Sequence, residues 1–158
     1  MHICFVCSGN ICRSPMAEKV MLEHLEREGL AGKVKVTSAG TGGWHVGQPA
    51  DYRAASTLAE KGYPTAHVAA MVGPEHLDAD LLVALDSGHY RLLQRLVGSS
   101  AGGMDRIRLL RSFDPGSGPE LDVPDPYYGG NGGFTRVLGM IEESMPGLLD
   151  WIRLNLDE

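Results

Sequence analysis

Cys7-Ser8-Gly9-Asn10-Ile11-Cys12-Arg13-Ser14-Pro15 follows the apolar run Ile3-Cys4-Phe5-Val6 and opens an amphipathic helical pattern. A cysteine with an arginine six positions on, across a short loop containing glycine, can wrap around a tetrahedral oxyanion. The loop amides and the first turn of the helix then point inward at the anion, and the arginine fork grips two of its oxygens. A positive environment of this kind also favours thiolate over thiol, so the side chain best placed to attack phosphorus is the one most activated. By itself, the loop suggests phosphoryl transfer to a cysteine.

Outward from the loop, short β-branched runs alternate with longer helical patterns. Residues 2–6 read as a first strand. Ala17, Val20, Met21 and Leu25 lie on one face of a helix from about 15 to 28, which Glu28-Gly29 ends. Val34-Lys35-Val36-Thr37 alternates as a second strand, and Ser38-Ala39-Gly40-Thr41-Gly42-Gly43 reads as a loop. A helix follows from an Asp51 cap to Lys61, with Gly62 as its stop. Leu81-Leu82-Val83-Ala84-Leu85 is an uninterrupted apolar run, expected of a strand buried on both faces. Asp86 or Ser87 can cap the next helix, which runs to about Val97. Arg106-Ile107-Arg108-Leu109-Leu110 is a fourth strand, placed near an edge by its two arginines. The stretch 111–133 is rich in Gly, Pro and Asp and has no apolar period. Phe134, Val137, Leu138, Ile141 and Met145 mark a last helix. Pro146-Gly147 interrupts that pattern before Leu148, Leu149 and Ile152 resume it, which leaves one kinked helix or two.

Strands separated by helices imply parallel βαβ units with right-handed crossovers. The expected fold is therefore a three-layer α/β domain over residues 1–158, with a four-stranded parallel sheet flanked by helices. Its ligand belongs at the carboxyl ends of the strands, where the Cys7 loop lies. The loops after Val36, Leu85 and Leu110 should share that rim.

Composition narrows the function classes. A chain of 158 residues buries roughly two-thirds of its unfolded surface as one domain. Its 14 basic and 20 acidic residues give a formal charge of −6, the opposite of a nucleic-acid binder's basic stripe. No apolar run approaches the roughly 20 residues that span a bilayer, so neither nucleic acid nor membrane is an expected partner. Met1-His2 leads straight into a strand-like run with no basic region or cleavage site, so a secretory signal is not expected. The three cysteines lie within residues 4 to 12 and cannot form a disulfide framework. The expected compartment is the reducing cytoplasm.

Cys-x-Gly-Asn-x-Cys-Arg-Ser-Pro after the first strand resembles the low-molecular-weight protein tyrosine phosphatase family, and the likeness extends over nearly the whole chain. Ser38-Ala39-Gly40-Thr41, Trp44-His45-Val46-Gly47, Asp51-Tyr52-Arg53, Leu110-Arg111-Ser112-Phe113-Asp114-Pro115 and Asp125-Pro126-Tyr127-Tyr128-Gly129 resemble family segments in the family's order. The Trp-His-Val-Gly version is most similar to the actinobacterial branch. The resemblance implies Cys7 as nucleophile, Arg13 as the clamp on the phosphate, and Asp125 as general acid and then base. It implies a phosphate-binding loop of Ser8, Gly9, Asn10, Ile11, Cys12, Arg13 and Ser14, with Asn10 shaping it and Ser14 donating to the Cys7 sulfur. Ser38 and His67 match positions that support the loop. Trp44, His45, Tyr127 and Tyr128 would line a substrate cleft deep enough for a phenyl phosphate. Tyrosine-phosphorylated proteins are the implied substrates, and a tyrosine kinase acting on Tyr127 or Tyr128 is an implied partner. Export without a leader, known among actinobacterial relatives, leaves no trace in a sequence.

No cofactor or metal is expected, because Arg13 and the loop amides carry the charge that a metal would neutralise. A Cys4, Cys7 and Cys12 metal site lacks a nearby fourth ligand and faces Arg13. Cys4, in mid-strand, reads as core. Cys12 is either a small loop residue or the partner of Cys7 in a reversible disulfide. Asp122 is the nearby competitor of Asp125 for the acid, and Asp114 reads as a loop element. His89 reads as a loop or packing residue, and His2, His24 and His76 carry no functional reading.

Three rival functions stand beside phosphotyrosine hydrolysis. Arsenate reduction needs a resolving cysteine pair further along, and no cysteine follows Cys12. A binding module without turnover would be expected to lack Cys7 or Asp125. Protein-arginine dephosphorylation calls for a small hydroxyl at position 11, where Ile11 offers bulk and no polar partner for a guanidinium. The paired tyrosines beside Asp125 also favour an aromatic leaving group.

Overall fold

The computed structural model describes residues 1–98, 104–129 and 132–156. Four parallel strands form one sheet in the order β2-β1-β3-β4: β1 (His2–Cys7), β2 (Lys35–Gly40), β3 (Leu81–Ala84) and β4 (Ile107–Leu109). Five helices accompany them: α1 (Arg13–Arg27), α2 (Tyr52–Glu60), α3 (Pro74–Leu77), α4 (Ser87–Val97) and α5 (Gly132–Leu156), with 3-10 turns at Met104–Arg106 and Leu110–Phe113. This is the expected α/β architecture, with the arginine-bearing strand at an edge.

The alternation of side chains along β1 sorts the core into two layers. Ile3 and Phe5 point to one face, where Val20, Met21 and Leu25 of α1 and Phe134, Ile141, Met145 and Leu148 of α5 cover them. Cys4 and Val6 point to the other, against Leu82, Ala84, Ile107 and Leu93 of α4. Cys4 is thus a core residue, fully buried. Strand order changes direction between β1 and β3, whose registers align Val6 with Ala84, so the loops leaving these two strands diverge and open a crevice.

Two boundaries differ from the sequence reading. Ser38, Ala39 and Gly40 belong to β2, not to a loop. They pair in parallel with β1 as far as Cys7 opposite Gly40. On the other side the Gly40 amide donates to Ala70 O, and the Val72 amide donates to Gly40 O. Hydrogen bonds on both edges outweigh the low strand propensity of this Ser-Ala-Gly run. The short helix α3 lies in a segment where no apolar period had marked one. The caps follow expectation. Asp51 accepts the Arg53 amide at α2, Asp86 accepts the His89 amide at α4, and Gly29 and Gly62 take positive φ just past helix ends.

The question left by Pro146-Gly147 is decided for one continuous helix. Pro146 lies on the exposed side of α5, where the missing N–H disturbs no packing. Gly147 faces inward, and a Cβ there would stand 2.0 Å from the carbonyl oxygen of Phe113. Gly147 therefore lets α5 close on the 3-10 turn that follows β4. Gly147→Ala should lower stability by about 1–3 kcal/mol through overpacking, although alanine is the better helix former by about 1 kcal/mol. Urea unfolding measures the sign directly.

Candidate active site

β1 ends at Cys7, and α1 begins at Arg13 with no side chain capping its first turn. Its first amides are left for a ligand, and Pro15 sits where a helix can lack an N–H. Between these ends the loop turns through Asn10, which has φ 59 and is completely buried. Asparagine tolerates this left-handed conformation better than most residues.

The Asn10 side chain ties the loop down. Its Nδ2 donates to Ser14 Oγ at 2.8 Å and to Ser38 Oγ at 3.0 Å, and its Oδ1 accepts the Ala70 amide at 2.9 Å. Its carbonyl accepts from His67 Nε2 at 2.7 Å. Because Ser14 Oγ accepts from Asn10, its own proton is free to go to Cys7 Sγ, 2.9 Å away. Likewise Ser38 Oγ donates to Glu18 Oε1 at 2.5 Å, and the other Glu18 oxygen pairs with Lys19 at 2.9 Å. Donor directions along this chain are therefore fixed from the Glu18 carboxylate to the Cys7 sulfur. Burial keeps the His67 imidazole below its ordinary pKa, against the raising effect of its bond to Asn10.

Arg13 is fixed from its other side. Nη1 donates to Asp86 Oδ2 at 2.8 Å and to the Val123 carbonyl at 2.9 Å. Both Nη1 protons are spent there, so Nε and Nη2 remain for an anion. Burial alone would raise the Asp86 carboxyl, but the Arg13 bond, the facing His89 ring and the His89 amide together hold it below the usual range. Val123 is itself pegged to the sheet, since its amide donates to Leu85 O at 2.8 Å. Arg111 Nη1 secures the same segment at the Glu120 and Asp122 carbonyls.

Two residues beyond this peg, Asp125 Oδ2 stands 3.8 Å from Arg13 Nη2 while its Oδ1 accepts the Tyr127 amide. Asp122 is occupied elsewhere. Its carboxylate accepts the Ser87 amide at 2.8 Å and the Ser87 hydroxyl at 3.2 Å, beside the start of α4.

Cys7, Ser8, Gly9, Ile11, Cys12, Arg13 and Asp125 line a cleft of about 340 Å³, together with Trp44, His45, Tyr127 and Tyr128. Trp44 is 71% exposed, Tyr128 91% and Tyr127 37%, so these rings rim the cleft instead of filling the core. The His45 ring lies against Gly9, where a Cβ would approach it to 2.9 Å, and meets Tyr127 edge-on. Arg53, held by Asp51, stacks its guanidinium over Tyr127 at 5.4 Å and over Phe134 at 4.7 Å. Asn10 and Ser14 do not line the cleft. Their side chains brace the loop from behind, beside Ser38 and His67.

The sequence patterns assign no site role to Asp86, Glu18, Val123 or Arg53 and do not pair Ser8 with His89. Asp86 carries a signal as a helix cap directly after a buried strand, and Arg53 as part of the Asp51-Tyr52-Arg53 segment. Among the described residues no cluster of three or more His, Cys, Asp or Glu can hold a metal ion, and no helix is long and apolar enough to cross a membrane.

The family model described as "Low molecular weight phosphotyrosine protein phosphatase" matches residues 2–157. Low molecular weight protein-tyrosine phosphatase A of Mycobacterium tuberculosis (strain ATCC 25618 / H37Rv) is 58% identical over 153 residues, covering 96% of this chain and 91% of its own. Among solved structures, a protein tyrosine phosphatase from Entamoeba histolytica with Hepes in the active site superposes with a TM-score of 0.90 at 33% identity, covering 97% of each chain. The Drosophila arginine phosphatase DARP superposes with a TM-score of 0.87 at 31% identity, over 95% of this chain and 96% of its own.

Two measurements probe the site without substrate. Burial pushes the Cys4 and Cys12 thiols up to about 12, so iodoacetate near neutral pH should alkylate Cys7 first, and inorganic phosphate should protect it. Peptide mapping reads both. Burial also lowers the His89 imidazole from 6.5 to about 4, against the raising effect of Asp86. Between those values the unfolded chain takes up a proton that the folded chain refuses. This contribution to stability is complete above about 6.5 and is lost as pH falls toward 4, with His67 and His2, also lowered by burial, acting in the same direction. Denaturant midpoints should decline across this window, and less steeply in His89→Gln.

Proposed function

The chain belongs to the low molecular weight phosphotyrosine protein phosphatase family, and we propose that it hydrolyses phosphotyrosine on proteins through a phosphocysteine at Cys7. The observation that carries the reading is the meeting of Cys7, Arg13 and Asp125 in one cleft with an aromatic rim.

The geometry supports the following sequence. The phosphate enters the loop with its equatorial oxygens on the main-chain N–H groups and on Nε and Nη2 of Arg13. The Cys7 sulfur, bonded to Ser14 Oγ, attacks phosphorus in line. The phosphorus–oxygen bond to tyrosine breaks as a protonated Asp125 gives its proton to the leaving phenolate, an assistance worth roughly 10²–10⁴ in rate. A phosphocysteine and an Asp125 carboxylate remain. Asp125 then removes a proton from water, whose oxygen attacks phosphorus and expels the thiolate, releasing inorganic phosphate. Fixed dipoles need no reorganisation as charge builds on the oxygens.

Selectivity follows from the rim. Tyr127, Tyr128 and Trp44 suit the planar ring of phosphotyrosine. Ile11, in the cleft lining, brings a hydrocarbon side chain where a phosphoguanidinium would need a polar partner. The free thiols support a cytoplasmic placement. The exposure of Tyr128 and Tyr127 leaves both open to a tyrosine kinase. The whole chain acts as one catalytic domain in this reading.

Hydrolysis assays on phosphotyrosine, phosphoserine and phosphoarginine peptides should show strong preference for the first. Preference for phosphoarginine would transfer the assignment to the arginine phosphatases. Cys7→Ser should abolish turnover. Asp125→Ala should slow a phosphotyrosine peptide much more than p-nitrophenyl phosphate, whose leaving group needs little protonation. An equal loss on both would remove Asp125 from the acid role.

A further inference from the structure

His89, on the first turn of α4, is almost wholly buried, and its Nε2 lies 2.9 Å from Ser8 Oγ. Its Nδ1 faces Asp86 Oδ1 at 3.1 Å, off the line of a hydrogen bond, and has no other partner.

The electrostatics choose the tautomer. A proton on Nε2 would leave the Nδ1 lone pair pointed at a carboxylate oxygen. A proton on Nδ1 meets that oxygen favourably and makes Nε2 the acceptor. The Ser8 hydroxyl is then the donor to His89, and its proton is turned toward α4. Meanwhile the Ser8 carbonyl accepts the Gly42 amide from the loop after β2. Ser8, the first loop residue after the nucleophile, is thus held from both neighbouring strand ends. Asp86 joins this brace to the other end of the loop, because its Oδ1 takes the His89 amide while its Oδ2 holds Arg13.

We propose that His89 is a positioning residue for phosphate binding: through Ser8 on one side and Asp86 on the other, it couples the two ends of the loop and holds them in register before the anion arrives. The inference rests on reading the loop as the phosphate site. Preorganisation of this kind lowers the ordering cost of binding, so its loss falls on affinity more than on the chemical step. An empty loop freed from α4 would have to be reassembled by each incoming phosphate.

The test compares wild type, His89→Leu, His89→Gln, Ser8→Ala and the Ser8→Ala/His89→Leu double variant. Inorganic phosphate serves as competitive inhibitor and p-nitrophenyl phosphate as substrate. His89→Leu should raise the phosphate inhibition constant and KM roughly tenfold, the worth of one hydrogen bond, with a smaller change in kcat. The glutamine side-chain oxygen reaches the place of Nε2, so His89→Gln should recover most of the affinity. Ser8→Ala should lose affinity like His89→Leu, and the double variant should lose no more than either. Unchanged phosphate affinity in His89→Leu, or losses that add in the double variant, would overturn the proposal. If His89→Leu does not fold, a folded His89→Gln that binds phosphate no better than Ser8→Ala overturns it equally. Failure of the unmodified protein to bind phosphate or turn over the aryl phosphate would instead strike the functional reading itself.

Discussion

The buried side chain of Asn10 is the constraint on which the site depends. The five residues 8–12 between β1 and α1 have no secondary structure to hold them, and amide dipoles converging on one point repel one another when no anion is bound. Asn10 answers both needs. Its left-handed backbone reverses the chain, and its amide makes three hydrogen bonds to Ser14, Ser38 and Ala70. With the His67 bond to its carbonyl, four bonds meet on one residue, in surroundings where each unpaired group would cost about 1–3 kcal/mol. The network also imposes direction. Since Ser14 must accept from Asn10, its hydroxyl proton goes to the Cys7 sulfur.

The sheet supplies what the loop cannot make for itself. Parallel strands place the ends of β2, β1 and β3 side by side. Ser38 and Ala70 therefore reach Asn10 from one flank, while Asp86 reaches Arg13 from the other. The segment that carries Asp125 is pegged at Val123, which bonds to Leu85, just past β3, through its amide and to Arg13 through its carbonyl, and is secured again by Arg111 and Ser87. Arg13, through the Val123 carbonyl, and Asp125, two residues on, are thus tied to one short run of backbone. The rim is held by exposed contacts, with Tyr127 under the Arg53 guanidinium and the His45 ring against Gly9, and not by a buried network.

Much of the fold was legible because its signals are local. The apolar runs of β1 and β3, the alternation that opens β2, the two arginines at the edge strand β4, and the caps at Asp51 and Asp86 are each expressed within a few residues. β2 was read short because its last three residues, Ser38 to Gly40, are held by partners on both edges and not by propensity. The Pro146-Gly147 step was ambiguous because a proline on a solvent-facing side and a glycine under a neighbouring turn are both compatible with one long helix. Only the neighbours reveal that they are so placed.

The same division holds at the site. By itself the sequence determined the anion-binding loop, because Cys7, the glycine, the helix start and Arg13 lie within one short segment, and the chemistry follows from their spacing. Family resemblance extended this to Asp125, Ser38, His67 and the rim. The tertiary structure alone decided which groups complete these residues: Asp86 and Val123 on Arg13, Glu18 behind Ser38, Arg53 under Tyr127, and His89 on Ser8. Hydrogen bonds and ion pairs act over about 3 Å, and the contact of Arg13 with Val123 spans 110 positions of sequence. Such partners share no local pattern. They become neighbours only when parallel strand order brings their loops to one edge of the sheet.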